Sequence, residues 1–187
     1  MRPWPVLSRT PVADYGIFRV RRDRCVSPRT GQAHDFSVLE TADWVNVIAL
    51  TPDERVVLID QYRFGTERVT LEIPGGMIDP GEAPLGAGER ELLEETGYAA
   101  EALTVLGHVE PNPALQPNRC FTVLALGCRP QPGGQALDER EDIGVRTVPL
   151  VEVPLLFARG EIRHALVWAA FTHLDLWRRG LLPARSS

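Results

Sequence analysis

Residues 76–98, GMIDPGEAPLGAGERELLEETGY, are the stretch from which the rest of the chain is read. Pro84 to Thr96 reads as a helix, with Gly97 as its C-terminal stop. On that helix Leu85 and Leu92 lie seven residues apart and share a face with Thr96, while Glu91, Glu94 and Glu95 fall on another. Spacings of i, i+3 and i+4 crowd three carboxylates together, at roughly 0.2–0.5 kcal/mol of repulsion per pair. Gly88, in mid-helix, costs about 1 kcal/mol more relative to alanine. Two local penalties in one helix call for a compensating purpose.

Hard divalent cations bind carboxylates, backbone carbonyls and water. A glutamate triad on a rigid helix beside a glycine loop meets that requirement. A solvated acidic face is the alternative for Glu91, Glu94 and Glu95 taken alone. The surrounding residues decide between them. Gly76, Glu82, Arg90, Glu91, Leu92, Glu94, Glu95, Gly97 and Tyr98 fit the pattern G-x5-E-x7-R-E-U-x-E-E-x-G-U, in which U is bulky and apolar. Nine specified positions across 23 residues resemble the Nudix box, without gap or substitution.

That resemblance implies an α/β/α sandwich with a mixed sheet, in which the box is a loop–helix–loop. It implies Glu91 and Glu95 as the principal metal-ligating carboxylates and Glu94 as a further ligand or a supporting partner. The carbonyl of Gly75 resembles a backbone ligand, and Glu82 and Arg90 pair with each other or with Glu94 to fix the ligands. Gly88 stands where relatives usually have alanine, which reads as close packing of the helix. The cofactor implied is Mg2+, with Mn2+ as a possible substitute.

Outside the box, Asp60-Gln61-Tyr62-Arg63 and Leu71-Glu72-Ile73-Pro74-Gly75-Gly76 resemble the ADP-ribose and nucleotide-sugar pyrophosphatase branch. Pro113, fifteen residues beyond Tyr98, resembles that branch's downstream proline. The loop Glu139-Arg140-Glu141-Asp142-Ile143 resembles its acidic loop, with Glu139 the candidate base and Glu141 a candidate metal ligand. Arg63 has the guanidinium fork to grip a diphosphate oxygen, or to form a salt bridge with Glu72 or Asp60. Glu72, Phe36 and Trp44 complete the candidate substrate contacts. The two aromatics either stack a nucleobase or belong to the core, and the four histidines show no zinc spacing.

The resemblance thus implies hydrolysis of a nucleoside diphosphate-linked small molecule, ADP-ribose first, with GDP-mannose or another nucleotide sugar next. A housecleaning nucleoside triphosphate pyrophosphatase and a non-catalytic nucleotide sensor are the competing readings. Relatives of this branch also imply a homodimer completed by N-terminal strands.

The bulk numbers agree with one ordinary domain. The chain has 187 residues, 44% hydrophobic and 24% charged, enough to bury a core. A net charge of -5 argues against nonspecific nucleic-acid or membrane-surface partners. Cys25, Cys120 and Cys128 form no CxxC pair, so no disulfide framework or zinc ribbon is expected. No apolar run approaches the roughly 20 residues of a membrane span, and residues 1–5 lack a signal-peptide core. These features predict a soluble, cytoplasmic protein.

Strands are expected at 15–21 and 36–40 around a turn at Ser27–Gly31, and at 44–50 and 55–63 as a hairpin. Further strands are expected at 69–73, 103–109, 120–126 and 145–149, and helices near 150–158 and 161–179. The division expected is 1–35 as an N-terminal strand region, 36–180 as the hydrolase domain and 181–187 as a tail.

Overall fold

Local chemistry decides where the first strands run. The computed structural model describes residues 2–182. Strands β1 (Val6–Asp14), β2 (Arg19–Val26) and β3 (Ala33–Glu40) form an antiparallel sheet in that order. The Ser27–Gly31 turn joins β2 to β3 as expected, closed by the Gly31 amide on the Ser27 carbonyl at 2.8 Å. Residues 15–18 are not strand. Tyr15 and Phe18 close a tight connection, with the Tyr15 amide 3.0 Å from the Phe18 carbonyl and Gly16 at φ +80°.

The sequence reading missed β1. Its side chains are nearly all exposed, so it has no apolar alternation to detect, and Pro11 sits at a break in its pairing with β2. This sheet and the segment Glu110–Arg119 form one compact unit, which extends to Asp43. Within it the Leu39 amide donates to the Leu115 carbonyl at 2.9 Å, and Asn118 Nδ2 to the Ala42 carbonyl at 3.1 Å. Residue 36, the expected start of the hydrolase domain, lies within β3.

The second unit comprises Trp44–Val109 and the chain from Cys120 onward. Its strands are β4 (Trp44–Leu50), β5 (Arg55–Arg63), β6 (Arg68–Glu72), β7 (Gly75–Met77), β8 (Tyr98–Ala99), β9 (Ala102–Val109), β10 (Cys120–Leu126), β11 (Arg129–Pro130) and β12 (Ile143–Pro149). The main sheet runs β12-β5-β4-β10-β9, with β6 beside β5 and β7 beside β4. It is mixed: β10 is parallel to β4 and the other pairings are antiparallel. The short strands β8 and β11 pair separately.

Strand β4 is apolar along most of its length because both of its faces are covered. Val45, Val47 and Ala49 pack on one side with Ala87 and Leu92 of helix α1 (Pro84–Thr96). Ile48 and Leu50 pack on the other with Val153 of α2 (Val153–Ala158) and Val167, Ala170 and Leu174 of α3 (Ala165–Arg178). Helices on both sides of a mixed sheet make the expected α/β/α sandwich.

Three details depart from the sequence reading. Strands β4 and β5 pair directly only at Leu50 and Val56, beside the turn, before β5 turns to β6 and β12 and β4 to β7 and β10. A 3-10 turn, Leu150–Glu152, precedes α2. Helix α3 starts at Ala165, not 161, because Ile162 is drawn into the core and His164 is extended at the N-cap. The tail expected over 181–187 lies, from residue 183, outside the described residues. Among the described residues no helix is long and apolar enough to cross a membrane.

Candidate active site

Helix α1 has Pro at its N-terminal turn and ends at Gly97, whose φ of +71° lets its amide reach the Leu93 carbonyl at 2.8 Å. The three glutamates of the expected face are not equally buried. Glu91, Leu92, Glu95 and Thr96 are buried together, while Glu94 turns aside half-exposed. The physical reason is what lies against each part of that side: Glu91 and Glu95, about 40° apart around the axis, face packed backbone, while Glu94, about 60° beyond Glu91, faces solvent and Arg90. Gly88 lies on the packed side, where an added Cβ would come 3.1 Å from Val123 Cγ2, the close packing expected of it.

Bare backbone receives the two buried carboxylates. Strand β7 pairs Gly75 with Asn46, Gly76 with Val45 and Met77 with Trp44. A Cβ on Gly76 would stand 2.4 Å from Glu91 Oε1, and one on Gly75 would stand 2.2 Å from the Val45 carbonyl. No larger residue fits at either position without a shift. The Gly75 amide donates to Glu95 Oε2 at 2.8 Å, which ties the glycine expected as a backbone ligand to a carboxylate of the box.

Arg90 ties the box together. It donates to Glu82 Oε1 and Oε2 at 3.1 and 3.0 Å, to Glu91 Oε1 at 2.9 Å, to Glu94 Oε2 at 3.1 Å and to the Met77 carbonyl at 3.1 Å. The expected Glu82–Arg90 and Glu94–Arg90 pairs are both present. Bonding to Glu82 above all raises the arginine's pKa further, against its partial burial, so its charge is permanent.

The charge balance at Glu91 and Glu95 is unfavourable as the protein stands. Burial pushes the Glu95 carboxyl up to about 8, against the Gly75 amide, and the charges of Glu91 and Glu141 push the same way. Burial also raises Glu91, against its Arg90 contact, with Glu94 and Glu141 adding to the rise. A divalent cation would relieve this repulsion with hard oxygen donors in place. The donor set therefore fits a metal of that kind. Among the described residues no three acidic, His or Cys side chains already form a metal cluster; Glu91 is bonded to Arg90 and Glu95 to the Gly75 amide.

Glu141 is half-buried and accepts the Asp138 amide at 3.0 Å, while Glu139 is exposed. Their loop is anchored by a residue the sequence reading missed. Gln135 Nε2 donates to the Glu95 carbonyl at 2.7 Å and the Ile143 carbonyl at 2.9 Å, and the Ala136 amide donates to the Glu94 carbonyl at 2.8 Å. Carbonyls in the last turn of a helix lack intrahelical partners, and here the acidic loop supplies them. A lone glutamine in a Gly- and Pro-rich loop carries no periodicity, so no signal in the sequence marked it.

Beside Gly75 and Gly76 opens a cavity of about 550 Å³ whose walls include Trp44, Asn46, Arg63, Glu72, Met77 and His164. Glu72 is 3% exposed and fully engaged. Arg63 Nε and Nη2 each bond it at 2.9 Å, Thr70 Oγ1 donates at 2.6 Å, and His164 Nδ1 lies 2.8 Å from Oε2 without hydrogen-bond alignment. Burial raises the carboxyl, but these partners overcome it and hold Glu72 well below the usual range. Of the two readings of Arg63, the salt bridge to Glu72 forms, on the wall of the cavity. Thr70 was findable, being two residues from Glu72 and so on the same strand face. Phe36 and Pro113 belong to the first unit, where Phe36 meets Trp4 edge-on at 5.5 Å and Pro113 is exposed.

The NUDIX domain profile matches residues 41–169. The chain belongs to the Nudix family. It is 30% identical over 146 residues to the ADP-ribose pyrophosphatase of Bacillus subtilis, covering 78% of this chain and 79% of that protein. It is 37% identical over 128 residues to the ADP compounds hydrolase NudE of Escherichia coli, covering 68% of each. A crystal structure of an ADP compounds hydrolase superposes with a TM-score of 0.84 at 25% identity, over 96% of both chains. As a Nudix hydrolase the protein is an enzyme acting on pyrophosphate bonds. The family generally uses a divalent metal.

Proposed function

We propose that the protein hydrolyses the diphosphate bond of a nucleoside diphosphate sugar with Mg2+, ADP-ribose being the leading substrate and AMP and ribose 5-phosphate its products. The observation that carries this reading is the buried Glu91–Glu95 pair on the Gly75–Gly76 backbone, with a cavity of about 550 Å³ at its side. Relatives named as ADP-ribose pyrophosphatases and ADP compounds hydrolases support the choice of substrate.

Glu91, Glu95 and Glu141, with the Gly75 backbone, would hold the metal. When bound, Mg2+ neutralises diphosphate oxygens and acidifies a water. Arg90 restrains Glu82, Glu91 and Glu94, so the ligand carboxylates keep their place when the site is charged. Glu139 is the proposed base, taking the proton of the attacking water, and its exposed loop leaves it free to approach a bound diphosphate. Trp44 offers an aromatic face for the base or sugar, and Arg63, steadied by Glu72, orients a phosphate oxygen. Phe36 and Pro113 are proposed to contribute through a homodimer. Exposed Leu7, Val12 and Ile17 in the N-terminal segment support an association of this kind.

Turnover of a nucleotide-sugar panel with Mg2+, comparing the native protein with Glu95→Gln, tests the reading. Loss of about 10²-fold or more is expected in the variant, because metal-held charge stabilisation contributes several kcal/mol. Full activity in the variant, or no turnover of ADP-ribose by the native protein, overturns it.

A further inference from the structure

His164 sits where α3 begins, on the wall of the cavity beside Gly75 and Gly76. Its backbone is fixed from both sides. Ile162 and Val167 are buried in the core, and the Val167 amide donates to the His164 carbonyl at 3.1 Å.

The two ring nitrogens meet different surroundings. Nδ1 is buried and lies 2.8 Å from Glu72 Oε2. Against the cost of burial, Arg63 and Thr70 keep that carboxylate ionised. Two lone pairs at such a distance would repel, so the nitrogen facing Glu72 carries the hydrogen. A small rotation of the ring aligns the bond, and active-site contacts are often loose in this way before a ligand is bound. Nε2 has no protein partner among the described residues. The His164 side chain is 38% exposed, so the ring is closed toward Glu72 and open on its other side.

A second polar group on these walls is also unused. Asn46 lines the same cavity, and its Nδ2 has no partner among the described residues. Trp44, two residues earlier on β4, shares that strand face and the cavity. An aromatic wall with a few polar groups of this kind is what orients a small ligand in a pocket.

The chemistry of Nε2 narrows the ligand group. In the neutral ring Nε2 only accepts a hydrogen bond, and in the imidazolium it only donates one. A hydroxyl answers both states, having one hydrogen and two acceptor lone pairs. A phosphate oxygen without hydrogen answers the imidazolium alone, and Arg63 is already placed for that role. On a nucleoside diphosphate sugar the hydroxyls belong to the two sugar rings.

We propose that His164 reads a sugar hydroxyl of the substrate through Nε2, and that Glu72 is the residue that positions it. The inference rests on the diphosphate-hydrolase reading above. His164 is then a specificity-determining residue, and the hydroxyl belongs either to the nucleoside ribose or to the sugar half.

Calorimetric titration of the full chain compares ribose 5-phosphate, and separately AMP, with the singly deoxygenated forms of each. In one series, one deoxy form is expected to bind about fivefold or more weakly than its parent, the scale of one hydrogen bond. The series that responds identifies the half of the substrate. In His164→Phe, which keeps a ring in the wall but no nitrogen, the ratio is expected to fall toward unity with the affinity of the deoxy form unchanged. A merely structural role would weaken parent and deoxy form alike and keep the ratio. Nitrogen–proton NMR of the ring should find the hydrogen on Nδ1 in the native protein, with Nε2 shifting as the preferred parent binds, and a weaker preference for Nδ1 in Glu72→Gln.

The proposal is overturned if neither series shows a preference, if the preference survives in His164→Phe, or if the native ring carries its hydrogen on Nε2 alone. An unchanged ring in Glu72→Gln rejects the positioning role. ADP-ribose turnover measured alongside tests the hydrolase reading separately. Its absence with a His164-dependent preference would reject that substrate and keep the hydroxyl site, and turnover without any preference would do the reverse.

Discussion

Arg63 and Glu72 meet in a two-pronged ion pair, Nε to Oε1 and Nη2 to Oε2, both at 2.9 Å. The arginine's side chain is 41% exposed and the glutamate's is buried, so the pair is anchored from its buried end. Arg63 thus reaches the cavity wall already oriented, with Thr70 and His164 holding the carboxylate behind it.

Replacing Glu72 with Gln should cost about 2 kcal/mol at neutral pH, less than a fully buried pair because Arg63 is partly solvated. The folded pKa of Glu72 is depressed below its unfolded value. Its stabilisation is therefore present above the ordinary glutamate range and is lost as pH falls through the folded value. Urea denaturation from pH 7 to pH 3 should show a shallower acid loss in Glu72→Gln. An identical slope would reject the role given to this pair.

Glu95 behaves in the opposite sense. Its folded pKa is raised, to about 8, by burial and by Glu91 and Glu141, against the Gly75 amide and Arg63. Its stability contribution is present below the unfolded value and is lost as pH rises through 8. With metal chelated, the melting temperature should fall between pH 6 and pH 8.5, and Mg2+ or Mn2+ should restore more at the higher pH. Glu95→Gln keeps an acceptor for Gly75 and should flatten both trends. Scanning fluorimetry at the two pH values reads this directly.

Gly76→Ala places a methyl group 2.4 Å from Glu91 Oε1, so the carboxylate must move. We expect a rise of tenfold or more in the Mg2+ concentration for half-maximal activity, because metal sites lose about 10–100-fold when ligand placement is disturbed. A metal titration of activity checks this, and an unchanged midpoint would mean that Glu91 is not a ligand.

Gln135→Ala removes both bonds that tie the acidic loop to the end of α1 and the start of β12. About 1–2 kcal/mol of stability should go. Amide exchange should rise over 136–142 before it rises in α1. Uniform exchange across both segments would show that the loop and helix are not joined through Gln135.

Chemistry written in one contiguous run was legible before any coordinates. The box pattern identified α1, its Gly97 stop and the Arg90–Glu82 pair, and the apolar runs Val47–Leu50, Val56–Ile59 and Val123–Ala125, all buried, marked β4, β5 and β10. Features depending on partners distant in sequence were not. Strand β1 buries almost nothing, so its residues have no pattern, and α3 starts late because Ile162 and His164 answer to the core and to Glu72. The division of labour among Glu91, Glu94 and Glu95 depends on what lies against each helix face, which spacing alone does not specify.

The bonding of the loop to α1 bears on how the chain tolerates change in length. Gln131 and Ala136 donate to the Gly97 and Glu94 carbonyls, and Gln135 also holds Ile143. The acidic residues between Ala136 and Ile143 are thus strung between two fixed posts. An insertion or deletion there alters the reach of Glu139 and Glu141, however mild the inserted residues are. The Ser27–Gly31 turn, closed on itself, has no such constraint from α1. Length variation among functional descendants of this sequence should therefore accumulate at that turn and be rare between Ala136 and Ile143.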